Sequence, residues 1–194
     1  MTDHATDISR RLEELIRAEI RARGGVLPFD RFMELALYAP GLGYYVAGAP
    51  KFGPGGDFVT APELSPLFGR CLAVQCAEVL ERLGDGEILE FGAGSGALAV
   101  QILLELESLD RLPEHYRILE PSPDLQERQR AAIQTAAPHL LARCDWLTTL
   151  PERFDGVVIA NEVLDAMPVH RFRLGADGEI LEIGVAERDG RLVE

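Results

Sequence analysis

Apolar residues recur at helical spacing from the start of the chain. Ile8, Leu12, Leu15, Ile16 and Ile20 form one stripe, with Thr6 or Asp7 as the expected N-cap and Gly24-Gly25 as the stop. A second, shorter helix is predicted over Phe29–Tyr38, ended by Ala39-Pro40-Gly41. From Pro40 to Pro66 the chain is rich in glycine and proline yet carries Tyr44, Tyr45 and Phe58, the pattern of a functional loop. Leu64, Leu67, Phe68, Cys71, Leu72, Val79, Leu80 and Leu83 then mark a long amphipathic helix. After Gly84 short apolar runs alternate with helical segments. Strands are predicted at 88–91, 116–119, 142–147 and 156–160, with helices over 97–106 and 124–136. This alternation implies right-handed crossovers and a Rossmann-like α/β fold, a parallel sheet with helices on both faces. The tail from Arg171 to Glu194 reads as β-hairpins turning at Gly175-Ala176-Asp177-Gly178 and Asp189-Gly190. The expected organisation is therefore a helical and loop segment over 1–62, a Rossmann-like core over 63–170 and a hairpin extension over 171–194.

Composition and charge narrow the field. The 194 residues are 47% apolar and 26% charged, which excludes disorder, collagen-like repeats and a coiled coil. The longest apolar runs, such as Val157–Ala160, are too short to cross a bilayer. A net charge of -13 repels phosphate backbones and anionic lipid, so neither nucleic acid nor membrane is an expected partner. Cationic small molecules and basic peptides suit it better. Cys71, Cys76 and Cys144 form no C-x-x-C pair, and the acidic Asp3, Asp7, Glu13, Glu14 and Glu19 do not suit a transit peptide. A reducing compartment, the cytoplasm, is expected. His4, His115, His139 and His170 lack metal-ligand spacing, and no metal is expected.

The candidate chemistry centres on Ile88-Leu89-Glu90-Phe91-Gly92-Ala93-Gly94-Ser95-Gly96-Ala97, where a strand passes into a helix. Gly92, Gly94 and Gly96 permit a tight turn and close approach of a ligand to the backbone. A ligand-free turn is the plain alternative. Glu90, Asp57, Glu120, Asp145, Glu162 and Asp165 are all expected near the same edge, and the turn holds no lysine or arginine. Such a setting repels a pyrophosphate and attracts S-adenosylmethionine, whose ammonium and sulfonium outweigh its single carboxylate. Glu120 ends the second strand at the offset of a ribose-binding acid, or is a solvated strand-end carboxylate. Asp145 and Trp146 are candidates for the adenine amino group and ring, although a single Trp is more often core.

These residues resemble the class I S-adenosylmethionine-dependent methyltransferases and, more narrowly, the MidA-like family. The likeness rests on Phe32-Met33 with Ala36-Leu37-Tyr38 through Gly43-Tyr44-Tyr45, on Gly56-Asp57-Phe58-Val59-Thr60-Ala61-Pro62-Glu63, on Glu90–Gly96 and on Ala160-Asn161-Glu162-Val163-Leu164-Asp165-Ala166-Met167-Pro168. Members are usually longer and continue with elements that complete the sheet, so the chain is expected to be a fragment or a truncated member with an incomplete sheet. The resemblance implies methylation of an arginine in a protein substrate, a subunit of the NADH–quinone oxidoreductase whose assembly the family assists.

Under this reading Glu162 and Asp165 hold the guanidinium, one of them receiving its proton, and Asn161 positions the nucleophile or the donor. Their alternative role is the polar first turn of a helix. Asp57 is expected to meet the donor's ammonium and Thr60 its polar end, as parts of a loop that folds over the donor; a simple surface loop is the alternative. A non-catalytic binding module, an NAD-dependent oxidoreductase and a small-molecule methyltransferase remain competing readings. A homodimer stays open.

Overall fold

A computed structural model describes residues 2–47, 60–84 and 86–194, with side chains in the first helix from Thr6 onward. Along the chain run α1 (Thr2–Ala22), β1 (Val26–Pro28), α2 (Phe29–Tyr38), α3 (Ala61–Leu64) and α4 (Pro66–Leu83). Then come β2 (Glu87–Phe91), α5 (Ala97–Ser108), β3 (Tyr116–Leu119), α6 (Pro123–Ala136), β4 (Cys144–Leu147) and β5 (Gly156–Ala160). The strands β6 (Arg171–Leu174), β7 (Ile180–Arg188) and β8 (Arg191–Val193) close the order. These elements divide between two compact units, one combining 1–49 with 164–194 and the other comprising 50–163.

The first unit joins the two ends of the chain, which the sequence pattern had separated into segments 1–62 and 171–194. The missed strand β1 is the reason: it pairs antiparallel with β7 and sets Leu27 opposite Val185. Both side chains are buried with Ile16, Ile20, Leu35 and Ala39. On its other side β7 takes β6 and β8 as the two expected hairpins. The expected cap at Thr6 or Asp7 is displaced, because α1 already begins at Thr2. Asp7 lies inside the helix and accepts from Arg10 at 2.6 Å.

The second unit holds the predicted parallel sheet, in the order β4-β3-β2-β5. Ser65 caps α4 by accepting from the Leu67 N–H, and Ser122 caps α6 by accepting from the Leu125 N–H; in both cases proline follows at the first helical position. Ile88, Tyr116, Ile118 and Ile159 share one sheet face and one core with Cys76 of α4, Ile102 of α5 and Ile133 of α6. The three long helices of this unit thus pack on that face. The opposite face carries Leu89, Arg117, Asp145 and Val158 in register, and the β4–β5 connection, 148–155, holds no helix. Because β2 lies between β3 and β5, the chain reverses its winding direction at β2, and the crevice above its C-terminal end is where such sheets bind ligands.

Candidate functional site

Register places the key residues on that crevice. Phe91 pairs with Leu119 and with Ala160, and Leu119 pairs with Leu147. The residues that follow on three adjacent strands, Gly92, Glu120 and Asn161, therefore share one edge. The ladder runs one step further through the Gly92 N–H to the Leu119 carbonyl and the Glu120 N–H to the Leu147 carbonyl. Gly92, Gly94 and Gly96 all take positive φ, of 60°, 55° and 86°. Gly96 is also a packing requirement, since a Cβ there would lie 3.1 Å from the Gln129 Cα of α6. The turn is thus shaped by backbone demands as well as by any guest.

Glu120 is 4% exposed and accepts from the Ser122 N–H at 2.9 Å and from Gln129 Nε2 at 3.3 Å. Burial raises its pKa, and the two hydrogen bonds work against that rise. Gln129 also donates to the Gly94 carbonyl at 3.1 Å and accepts from the Trp146 indole N–H at 2.9 Å. The Arg130 guanidinium lies 3.8 Å from the centroid of the same indole, so Trp146 is half-buried with one face already taken by a cation. Arg130 is a basic neighbour that the residues of the turn do not disclose.

Glu90 is placed differently from the expectation that it faces the crevice. It shares the core face of β2 with Ile88, is 2% exposed and accepts from the Tyr116 hydroxyl at 2.7 Å. Burial pushes its pKa up to about 7, and the Tyr116 bond opposes the rise. Glu90 therefore lies in the core beneath the turn. Asp145 is not brought to the edge either. It pairs with Arg117, two residues short of the strand end, and its carboxylate meets His115 Nδ1 at 2.8 Å. Sequence proximity to Trp146 misled here, because adjacent strand residues point to opposite faces.

Thr60 opens α3, which is docked on α5: Gln101 Nε2 donates to the Pro62 carbonyl at 2.8 Å, and the Ser95 hydroxyl donates to Glu63 inside the glycine turn. Asp57 lies outside the described residues. Glu162 follows β5 and Asn161 with φ 52°, a left-handed conformation outside glycine. Asp165 sits in the single turn Leu164–Ala166 of the first unit. Gln129, Ser122 and Glu63 were missed by sequence reasoning. Gln129 had a signal, since it stands four residues before Ile133 on the inward stripe of α6.

Residues 71–193 match a family described as "Putative S-adenosyl-L-methionine-dependent methyltransferase". The chain belongs to that family. Among curated relatives, the mitochondrial "Protein arginine methyltransferase NDUFAF7 homolog" of Drosophila melanogaster is 30% identical over 92% of this chain and 46% of its own length. The mitochondrial protein arginine methyltransferase NDUFAF7 of Danio rerio is 28% identical over 97% of this chain and 50% of its own. The chain thus spans about half the length of these relatives. A superfamily member from Burkholderia thailandensis, crystallised with S-adenosyl-homocysteine, superposes with a TM-score of 0.89 at 48% identity, covering 98% of this chain and 50% of that one.

The methyltransferase family accounts for the character of the edge, and the residues present fit its donor. A buried carboxylate, Glu120, stands beside a glycine turn that leaves the backbone bare, and residues 90–97 carry no base. A ribose diol presents hydroxyl donors to such a carboxylate. The cluster Asp30, His170 and Glu182 belongs to the first unit.

Proposed function

We propose that this chain binds S-adenosylmethionine at the β2–α5 turn and forms part of a methyltransferase that modifies an arginine in a protein partner. The single observation that carries the donor is Glu120, a buried acid at the strand edge held by Ser122 and Gln129 next to the glycine turn. Gly92, Gly94 and Gly96 would hold the donor's amino-acid end against the backbone, Glu120 its ribose, and Thr60 would approach from α3. When bound, the donor supplies a methyl carbon activated by its sulfonium.

The chain's own task is then to orient a nucleophile and manage a proton. Arginine stays protonated up to about pH 12, so a carboxylate must hold the guanidinium and take up its proton. Glu162 is our candidate for that carboxylate and Asn161 for positioning the nucleophile. Holding a non-glycine residue at positive φ costs roughly 1–2 kcal/mol, and such strain recurs at functional positions. The part of Asp165 rests on its place in the chain. The printed names of the curated relatives support arginine as acceptor. A respiratory NADH–quinone oxidoreductase subunit is the partner we favour, and the cysteine usage favours a cytoplasmic setting.

Calorimetry on this chain tests the donor. S-adenosylmethionine and S-adenosyl-homocysteine should bind, NAD should not, and Glu120→Ala should weaken binding by about tenfold to a hundredfold through loss of charge-assisted hydrogen bonds. Retention of NAD with neglect of both adenosyl ligands would overturn the reading. Glu162→Gln should lower methyl transfer to a basic peptide while sparing donor affinity.

A further inference from the structure

Gln129 is fully buried, at 0% exposure, yet it is polar and has no place in the core for its own sake. Its amide is bonded at both ends. Nε2 faces two acceptors, the Gly94 carbonyl at 3.1 Å and Glu120 Oε2 at 3.3 Å, while Oε1 faces the indole N–H of Trp146 at 2.9 Å. Rotating the amide would set oxygen against two acceptors and nitrogen against a donor, so one orientation alone satisfies the site. The helix carrying Gln129 is seated tightly, as the 3.1 Å spacing at Gly96 shows.

Three parts of the edge therefore converge on one amide: the glycine turn, the acid at the end of β3 and the only tryptophan of the chain. From this we infer that Gln129 is a positioning residue for the donor, aiming the Glu120 carboxylate at the ribose while it locks the glycine turn to Trp146. This inference rests on the reading that the adenosyl donor occupies this edge. The N–H of Gln129 favours the charged form of Glu120 and opposes the burial that disfavours it. Several titratable or charged groups on the surrounding elements are engaged elsewhere. Glu90 of β2 is bonded to Tyr116 of β3, Arg130 of α6 lies over Trp146, Glu63 of α3 is bonded to Ser95, and Asp145 of β4 is bonded to His115.

Two substitutions give opposite pH behaviour. Gln129→Leu removes the donor to Glu120, so affinity for S-adenosyl-homocysteine should fall about tenfold or more, and further as the pH drops and Glu120 protonates. Gln129→Glu keeps the shape but sets a second carboxylate against Glu120. Its binding should be weak at high pH and recover as the pair takes up a proton. Calorimetric titration of S-adenosyl-homocysteine at pH 6 and pH 8 reads these slopes, and Trp146 emission reports whether the amide–indole bond is altered. Opposite slopes in two variants support positioning, because a merely structural loss would weaken binding equally at both pH values. Wild-type affinity in both variants with altered Trp146 emission would overturn the inference alone. If Gln129→Leu fails to fold, the pH-dependent recovery of Gln129→Glu decides the matter by itself, and its absence overturns the inference. A wild-type chain that binds no adenosyl ligand would instead remove the donor reading and this inference with it.

Discussion

Glu90 and Glu120 are both buried carboxylates at the ends of neighbouring strands, yet they carry different burdens. Glu120 has two N–H donors, which hold down the rise that burial causes. Glu90 has one hydroxyl donor and complete burial, and its pKa rises from the ordinary 4.5 to about 7. The folded chain therefore retains a proton that the unfolded chain releases between those values. The resulting stabilisation is fully present below about pH 4.5 and is lost as the pH rises to about 7, on the order of 3 kcal/mol in all. Glu90→Gln should flatten this slope. Urea unfolding at pH 5 and pH 7.5 checks it, and an unchanged slope in the variant would show that Glu90 is not the responsible group. The thiols of Cys76 and Cys144 are pushed up to about 11, chiefly by burial in the core.

The elements show how glycines at positive φ differ in purpose. Gly84 ends α4 at φ 86° with open space where a Cβ would stand. Gly156 begins β5 at φ 156°, and a Cβ there would lie 1.9 Å from the Glu87 carbonyl oxygen of the paired strand. Gly84→Ala should therefore cost roughly 1–3 kcal/mol, the strain of a side chain at φ 86° and ψ -65° without any clash. Gly156→Ala should cost on the order of 3 kcal/mol or more, because it forces two backbones apart at the start of β5. Thermal denaturation of the pair checks the contrast, and equal losses would contradict it. The turn at Gly92–Gly96 combines both demands. Positive φ shapes the loop, and the absence of a Cβ at Gly96 lets α6 deliver Gln129 to the edge.

At the scale of the whole molecule, charge and topology set the terms. A net charge of -13 attracts a basic peptide over distances comparable to the Debye length, about 10 Å at 0.1 M salt. Under the proposed function, the Kd of this chain for a basic peptide should rise several-fold as salt increases from about 0.05 to 0.5 M. A salt-independent Kd would remove long-range attraction from the account. The joining of the chain's ends through β1 and β7 is a second molecular property. Leu27 is completely buried between them, and a large cavity would follow its truncation to alanine.

Much of the second unit, with the tail hairpins of the first, was legible along the chain. The alternation of strand and helix, the glycine turn, Glu120 and the two tail hairpins depend on local periodicity and turn chemistry, which a single segment expresses by itself. Four decisions needed the tertiary structure. A three-residue strand such as β1 has too little pattern to register alone and exists because β7 lies beside it. Asp145 and Trp146 are neighbours in sequence, but the pleat sends one toward His115 and the other toward Gln129. Glu90 belongs to the core because the sheet face is shared with Tyr116, a pairing across strands. Gln129 becomes meaningful only when packing at Gly96 brings α6 against the turn. Local sequence determines which backbone shapes form, whereas side-chain partners across strands and helices are decided when the chain closes on itself.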